Sequence, residues 1–271
     1  MDTENNNSIE NNDNEEIFTI VEDEVQKMTF IQRLASIFIA PVKLMQNIKH
    51  YPVIAAMLGF VMALSLLILP FMGKMTEIST NKLSEIMLTR YGQDFVNFME
   101  SAQASTAGST TMSTVTTISA ALTMLATYPL MCFIKALVLL IIAKIAKGGG
   151  KYKQYASLYA HVLVVSVLGS LLITPIMVAL GTLLDVSSLA VVLMPKGDFS
   201  MMSYNILSGI TIFTIAEALL VLIGVREING FSNKRATVVA SVMFALSILF
   251  TAVMAGSSML ILDLSYRAVM G

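Results

Sequence analysis

Two ionisable residues, Lys135 and Glu217, lie inside long apolar runs of the sequence. An isolated charge in hydrocarbon costs about 3 kcal/mol or more, so an ionisable side chain inside a membrane span is a candidate for function. At a helical rise of about 1.5 Å per residue, Lys135 lies about 16 Å from the end of its run, and Glu217 lies about 14 Å before Arg226. Because these depths are similar, we expect the two side chains to face each other or one shared polar cavity.

Three interpretations of this candidate intramembrane ion pair are open. Lys135 and Glu217 form a structural ion pair that fixes the packing of two helices. Alternatively, they take part in moving an ion or a proton across the membrane. In the third interpretation, Lys135 has no partner and extends its flexible stem toward the polar interface. The first two interpretations require both residues on facing helices.

No other set of residues matches a catalytic, cofactor-binding or metal-binding motif. The run Lys147-Gly148-Gly149-Gly150-Lys151 lacks the G-x-x-x-x-G-K-[ST] pattern of a phosphate loop and follows an apolar run instead of a strand. We interpret it as a glycine helix stop. We predict that the protein is not an enzyme and has no cofactor or metal. Candidate contacts for anionic lipid headgroups are four nearby lysines: Lys144, Lys147, Lys151 and Lys153.

The composition predicts an integral membrane protein. Apolar residues make up 56% of the 271 residues and charged residues only 13%, with a mean hydropathy of +0.76. Soluble domains carry about 25% charged residues. The single cysteine, Cys132, lies in an apolar run, so an intramolecular disulfide is excluded.

Five apolar runs are long enough to cross a hydrocarbon core of about 30 Å as helices. Lys135 belongs to the second run and Glu217 to the fourth. The predicted fold is therefore an all-α membrane protein, a five-span transmembrane helical bundle within a membrane domain of residues 28–271. The predicted spans cover residues 53–72, 118–146, 158–184, 201–225 and 236–262.

Basic residues in the flanks predict the orientation, because cytoplasmic loops carry the excess of Lys and Arg. With the amino terminus inside, the cytoplasmic flanks hold eleven basic residues and the outer flanks hold five. We therefore expect a cytoplasmic N-terminus and a C-terminus outside. Residues 1–26 contain nine acids and no Lys or Arg, which predicts a disordered acidic cytoplasmic tail over residues 1–27.

The segment before the first span, residues 28–49, combines apolar and polar residues at helical spacing, and Pro41 divides it into two short helices. One interpretation is an interfacial amphipathic helix that precedes the bundle. The other is a lead-in helix that packs on the bundle.

Between the first two spans, residues 73–117 form a predicted outer loop. Residues 80–101 have helical spacing that is interrupted at Gly92. Residues 101–117 are rich in Ser, Thr, Ala and Gly, which predicts a flexible linker.

Three segments resemble sequences of the Yip domain family, named for Ypt-interacting proteins. The stretch from Phe30 through Pro41 to Pro52 resembles the family's amphipathic entry with its paired prolines. The glycine run and the residues that follow it resemble a turn into the third span. The turn from Gly224 to Ala236 is similar to the family's entry into the fifth span.

This resemblance covers about residues 29–262 and implies a five-span bundle that acts as an adaptor. Eukaryotic members bind prenylated Rab-type GTPases and take part in ER-to-Golgi vesicle traffic. The acidic Leu-Tyr-Gly-Pro motif of many such members is absent before the first span. The chain therefore looks more like the prokaryotic branch, which implies the plasma membrane of a prokaryote, and GTPase binding is not transferred to it.

The leading hypothesis is a non-enzymatic scaffold or interaction protein in membrane organisation or trafficking. Its expected partners are the lipid bilayer and either another membrane protein or a second copy of the chain, with no nucleic acid. The alternative is a small transporter or channel component that uses Lys135 and Glu217. The scaffold hypothesis predicts no continuous polar path through the bundle.

Overall fold

A computed structural model describes residues 26–106, 110–193 and 202–270. Almost all of the predicted acidic tail lies outside the described residues. Within them the chain folds into helices, and a short 3-10 turn, Leu66–Ile68, joins α3 to α4. The helices are α1 (Phe30–Ile39), α2 (Pro41–His50), α3 (Ala55–Ser65), α4 (Leu69–Tyr91), α5 (Gln93–Thr106), α6 (Thr110–Ile145), α7 (Tyr152–Leu180), α8 (Leu189–Leu193), α9 (Met202–Ser208), α10 (Ile212–Asn229) and α11 (Asn233–Met270).

In the described part of the chain, four helical segments are long and apolar enough to cross a membrane. They lie in the regions of the first, second, third and fifth predicted spans. The segments are Ala55–Tyr91, formed by α3 and α4, Ala121–Ile145 in α6, Tyr152–Leu180, which is α7, and Asn233–Met254 in α11.

The region of the fourth predicted span, residues 201–225, does not form one continuous helix. It contains α9 and most of α10, separated by a short break. At the break Thr211 is extended and caps α10, because its hydroxyl oxygen accepts a hydrogen bond from the Thr214 amide at 3.0 Å. Thr211 also pairs with Ser188 in an isolated antiparallel bridge. The sequence prediction missed this cap because most residues in the region are apolar.

The central helix is α7, which packs against α3, α6 and α10 and whose residues 155–165 are all buried. α10 approaches it closely because a glycine on each helix faces a bulky side chain on the other. A Cβ atom at Gly169 would lie 2.5 Å from the Phe213 ring, and one at Gly224 would lie 2.6 Å from Leu158. The order of these two contacts shows that α7 and α10 run antiparallel.

The chain enters α3 through a non-helical stretch after Pro52, where backbone polar groups have no helical partners. The fully buried Ser157 of α7 supplies partners for two of these backbone groups. Its hydroxyl donates to the Val53 carbonyl at 2.9 Å and accepts from the Val53 amide at 3.0 Å. One side chain thereby satisfies both backbone groups of a residue that lies outside a helix.

The predicted break at Pro41 is observed, with α1 before it and α2 after it. The two helices differ in what they bury. α2 packs its apolar face, including Leu44, Met45 and Ile48, against α7 and α10. α1 instead leaves large apolar side chains on the surface, because Ile31 is 76% exposed and Ile39 is 83% exposed.

In the predicted outer loop, residues 73–117, every described residue except Gly92 is helical. Gly92, with φ of 84°, ends α4 at the predicted interruption. The flexible linker predicted for residues 101–117 is wrong for the described residues, which belong to α5 and α6. Ala favours helices, and a Thr hydroxyl can bond the preceding turn of its own helix, so this composition does not exclude helical structure.

A second, smaller core joins α4, α5 and the far end of α11. Phe95 is fully buried there, and Tyr266 stacks on Tyr91 with ring centroids 4.8 Å apart. The continuous segment Ala55–Tyr91 has 37 residues. It is about 55 Å long, longer than a hydrocarbon core of about 30 Å, and these aromatic contacts lie at its far end.

Candidate functional site

Three segments that are distant in sequence meet at one end of the bundle, which we call the basic end: α2, residues 144–154 around the turn between α6 and α7, and residues 226–235 around the end of α10. Gln154 Nε2 donates to the Lys49 carbonyl at 2.6 Å. Gln46 Nε2 donates to the Glu227 carboxylate at 3.2 Å. These hydrogen bonds tie α2 to both α7 and α10.

Asn229, the last residue of α10, connects the two turns at the basic end. Its Oδ1 accepts from the Gly150 amide at 3.0 Å and from the Tyr155 hydroxyl at 2.7 Å. Its Nδ2 donates to the Val225 carbonyl of its own helix at 2.9 Å. One amide side chain therefore satisfies the backbone of the glycine run and fixes it against α10.

The glycine run ends α6 differently from the predicted glycine stop. The left-handed residue is Lys147, with φ of 63°. The Gly148 amide donates to the Ala143 carbonyl at 2.7 Å and the Lys147 amide to the Lys144 carbonyl at 2.9 Å, which is a Schellman arrangement. A lysine thus adopts the conformation that glycine adopts most readily.

The glycines in the run serve close packing rather than chain reversal. A Cβ atom at Gly148 would lie 2.5 Å from Asn229 Oδ1, and one at Gly150 would overlap the Tyr155 hydroxyl. Gly149, between them, has nothing within 4 Å of its Cβ position. Two of the three glycines are therefore required by their neighbours, and the middle one is not.

Arg33 joins α1 to the basic end through hydrogen bonds of its buried side chain. Although it is a charged residue of the lead-in segment, it is only 1% exposed. Its Nη2 donates to Asn47 Oδ1 at 2.5 Å and to the Tyr51 carbonyl at 2.8 Å. Burial lowers the pKa of the guanidinium from its ordinary value, and this charge is held by neutral acceptors within the described residues.

All the lysines predicted as headgroup contacts are exposed at the basic end. The Glu227 carboxylate at the same end is held by Arg226 at 2.8 Å. The surface therefore has a positive excess in its described part, while headgroup binding itself stays a prediction. Its exposed basic side chains are Lys43, Lys49, Lys144, Lys147, Lys151, Lys153, Lys234 and Arg235.

Away from the basic end, a cavity of about 710 Å³ lies between α6, α7, α10 and α11. Lys135 from α6 and Glu217 from α10 both line it, as do Tyr159 and Ser166 from α7. Most of the remaining wall is apolar. The structure therefore brings the two ionisable residues singled out in the sequence to one cavity.

Within this cavity Glu217 has a neutral partner. Ser166 Oγ donates to Glu217 Oε1 at 2.5 Å. Lys135 does not come within 4.0 Å of the Glu217 carboxylate, and its ammonium group donates no hydrogen bond among the described residues. The direct ion pair therefore stays a prediction.

The described residues contain no group of three or more His, Cys, Asp or Glu side chains that could hold a metal ion. His161 is fully buried, with Nδ1 2.7 Å from the Ser157 carbonyl. Cys132 is also fully buried. These side chains are packed within the bundle.

The sequence did not single out Asn229, Ser157 or Ser166. Each is a small polar residue within or beside an apolar run, which is the available signal, since a polar group in hydrocarbon requires a partner. Their partners are 51 to 104 residues away in sequence, so the pairings required the fold.

Comparison with known proteins identifies one match. A family model described as the Yip1 domain matches residues 35–254. The matched range includes α2, the glycine run and the turn after α10, which together form most of the basic end. No curated protein and no solved structure matches the chain.

Replacing Gly150 with alanine should lower the free energy of unfolding by about 1–3 kcal/mol, because the added methyl group overpacks a filled site. It would meet Tyr155 and a methyl group of Ile228 at 2.9 Å. The measurement is thermal unfolding of the purified protein in detergent. Gly149→Ala is the matched control and should have little effect. Equal destabilisation by both substitutions would contradict the packing role of Gly150.

A double-mutant cycle tests the interaction between Lys135 and Glu217. Lys135→Met and Glu217→Gln should each lower the unfolding free energy, and the double variant should lose less than the sum. Because the charges do not touch, the coupling should be about 0.5–1 kcal/mol, at the low end for neighbouring residues. Additive losses in thermal unfolding would show that the two residues do not interact.

Proposed function

The chain belongs to the Yip1 domain family, and on this premise we propose that it is a non-enzymatic membrane scaffold whose basic end binds a membrane-protein partner. The observation that carries the proposal is the convergence of the three family-like segments on this end. Gln154, Gln46 and Asn229 join segments that are 74 to 181 residues apart. A surface that is rigid before binding loses less conformational entropy when a partner docks.

The proposed topology has five spans, with α10 as the fourth. α10 has 18 residues, so it is about 27 Å long, close to the thickness of the hydrocarbon core. Its contacts support a crossing, since Phe213 lies against Gly169 of α7 and Asn229 binds the glycine run before α7. The excess of basic side chains favours a cytoplasmic basic end and a C-terminus outside, in the plasma membrane of a prokaryote.

The proposed role of α1 is that of an interfacial helix. Its exposed side chains include Ile31, Phe38 and Ile39, of which Phe38 is 62% exposed. Large apolar side chains on a surface helix favour insertion at the boundary between headgroups and acyl chains. α2, which packs on the bundle, matches the other interpretation of the lead-in segment. In this proposal each interpretation applies to a different helix.

A second candidate function is a small transporter or channel component, and the cavity that holds Lys135 and Glu217 favours it. Charged residues inside membrane proteins often mark pathways for ions or substrates. Against it, the wall of the cavity is mostly apolar, and hydroxyl groups supply most of its other polar atoms. The scaffold is the better supported of the two.

Labelling of single cysteines with an impermeant thiol reagent tests the topology. The native Cys132 is fully buried and should stay unlabelled. With five spans, cysteines at Lys153 and Lys234 should be labelled from the cytoplasmic side, and one at Lys82 from the other side. Labelling of the Lys153 and Lys234 positions from opposite sides would show that α10 does not cross.

Photo-crosslinking in native membranes tests the scaffold proposal. A photoreactive amino acid at Lys43 or Lys234, both exposed at the basic end, should give one reproducible protein adduct, whereas one at Lys82 should not. Gly150→Ala, which disturbs the basic end, should weaken the adduct, and Gly149→Ala should preserve it. Absence of an adduct at the basic end would contradict the proposal.

A further inference from the structure

The cavity between α6, α7, α10 and α11 holds two opposite charges that do not touch. Lys135 and Glu217 are both within its wall, more than 4.0 Å apart, and one Glu217 oxygen is already bound to Ser166. A charge in an apolar cavity without a close counter-charge is costly. An occupant that carries an anionic and a cationic group would satisfy both residues.

The mouth of the cavity indicates where such an occupant comes from. Leu246, Leu249, Phe250 and Val253 of α11 line the cavity and are 43% to 53% exposed. They belong to a helix with the length and composition of a membrane span. The cavity therefore opens toward acyl chains. An amphiphile can enter it laterally from the bilayer, past α11.

The charges also select among amphiphiles. Lys135 suits a phosphate group, and Glu217 suits an ammonium group. An anionic phospholipid would pair with Lys135 and leave Glu217 facing a second negative charge. A lipid with an uncharged head would leave both side chains without a partner. A head that combines phosphate and ammonium groups pairs each of the two side chains with an opposite charge.

We propose that this cavity is a binding site for a zwitterionic phospholipid of the ethanolamine type, with its phosphate at Lys135 and its ammonium group at Glu217. The apolar wall contacts the upper parts of the acyl chains, which leave through the mouth along α11. The inference rests on the cavity alone. It is independent of the scaffold proposal and of any movement of a substrate across the membrane.

The test exploits the lack of tryptophan in the chain. Phe244 lines the cavity, so Phe244→Trp places a single fluorophore there. Phe133→Trp on the exposed surface of α6 is the matched reporter outside it. Both proteins are placed in nanodiscs of equal amounts of phosphatidylethanolamine and phosphatidylglycerol. Two samples of each are prepared: in one the phosphatidylethanolamine carries brominated acyl chains, which quench tryptophan fluorescence, and in the other the phosphatidylglycerol does.

Brominated phosphatidylethanolamine should quench the cavity reporter about fivefold more than brominated phosphatidylglycerol, as expected when a charge pair selects the ligand. The outer reporter should be quenched equally by both. In the Lys135→Met and Glu217→Gln double variant the preference should vanish. In Lys82→Met, which removes a lysine charge from α4 outside both the cavity and the basic end, it should persist.

Equal quenching of the cavity reporter by the two lipids would overturn the proposal, because the cavity would then hold bulk lipid. A preference for phosphatidylglycerol would overturn the zwitterionic class and leave Lys135 as an anion site. If the double variant fails to fold, the two reporters on the otherwise unchanged chain still decide whether the cavity prefers phosphatidylethanolamine. If the crosslinking experiment gives no adduct at the basic end but the cavity reporter shows the expected lipid preference, the scaffold proposal is overturned and the lipid proposal stands.

Discussion

The structure depends on one constraint. Near hydrocarbon, backbone polar groups outside a helix need hydrogen-bond partners from side chains, because no water is present there to bond them. At the entry to α3, Ser157 satisfies both the amide and the carbonyl of Val53. At the turn before α7, Asn229 accepts from the Gly150 amide. At both places a polar side chain on a distant helix bonds backbone groups outside a helix, and these bonds fix how α3, α7 and α10 fit together.

The same constraint separates two regions with different chemistry. At the basic end, polar side chains bond within the chain, and the exposed charged side chains are Lys and Arg. In the cavity, Lys135 and Glu217 both line the wall more than 4.0 Å apart, and of the two only Glu217 has a hydrogen bond among the described residues. The first region is suited to docking on a surface, while the second is suited to a ligand that brings its own charges.

Local signals predicted much of this arrangement, and long-range contacts account for the rest. Pro41 and Gly92 marked helix breaks because their backbone preferences act locally. Helical rise alone placed Lys135 and Glu217 at similar depths. Burial of Arg33 could not be predicted, since it depends on α2 folding back onto α1. The linker predicted for residues 101–117 was wrong for the described residues, because Ser, Thr and Ala occur in helices as well as in linkers.

The most direct test of this account is the replacement of Ser157 with alanine, followed by hydrogen exchange at Val53 and by the free energy of unfolding in detergent. The account predicts faster exchange at the Val53 amide and a loss of about 1–3 kcal/mol, because two buried backbone groups lose their partner. The control is Ser170→Ala, whose exposed hydroxyl bonds only to its own helix and which should change stability by less than about 0.5 kcal/mol. Unchanged exchange at Val53 with equal stability of the two variants would contradict the account.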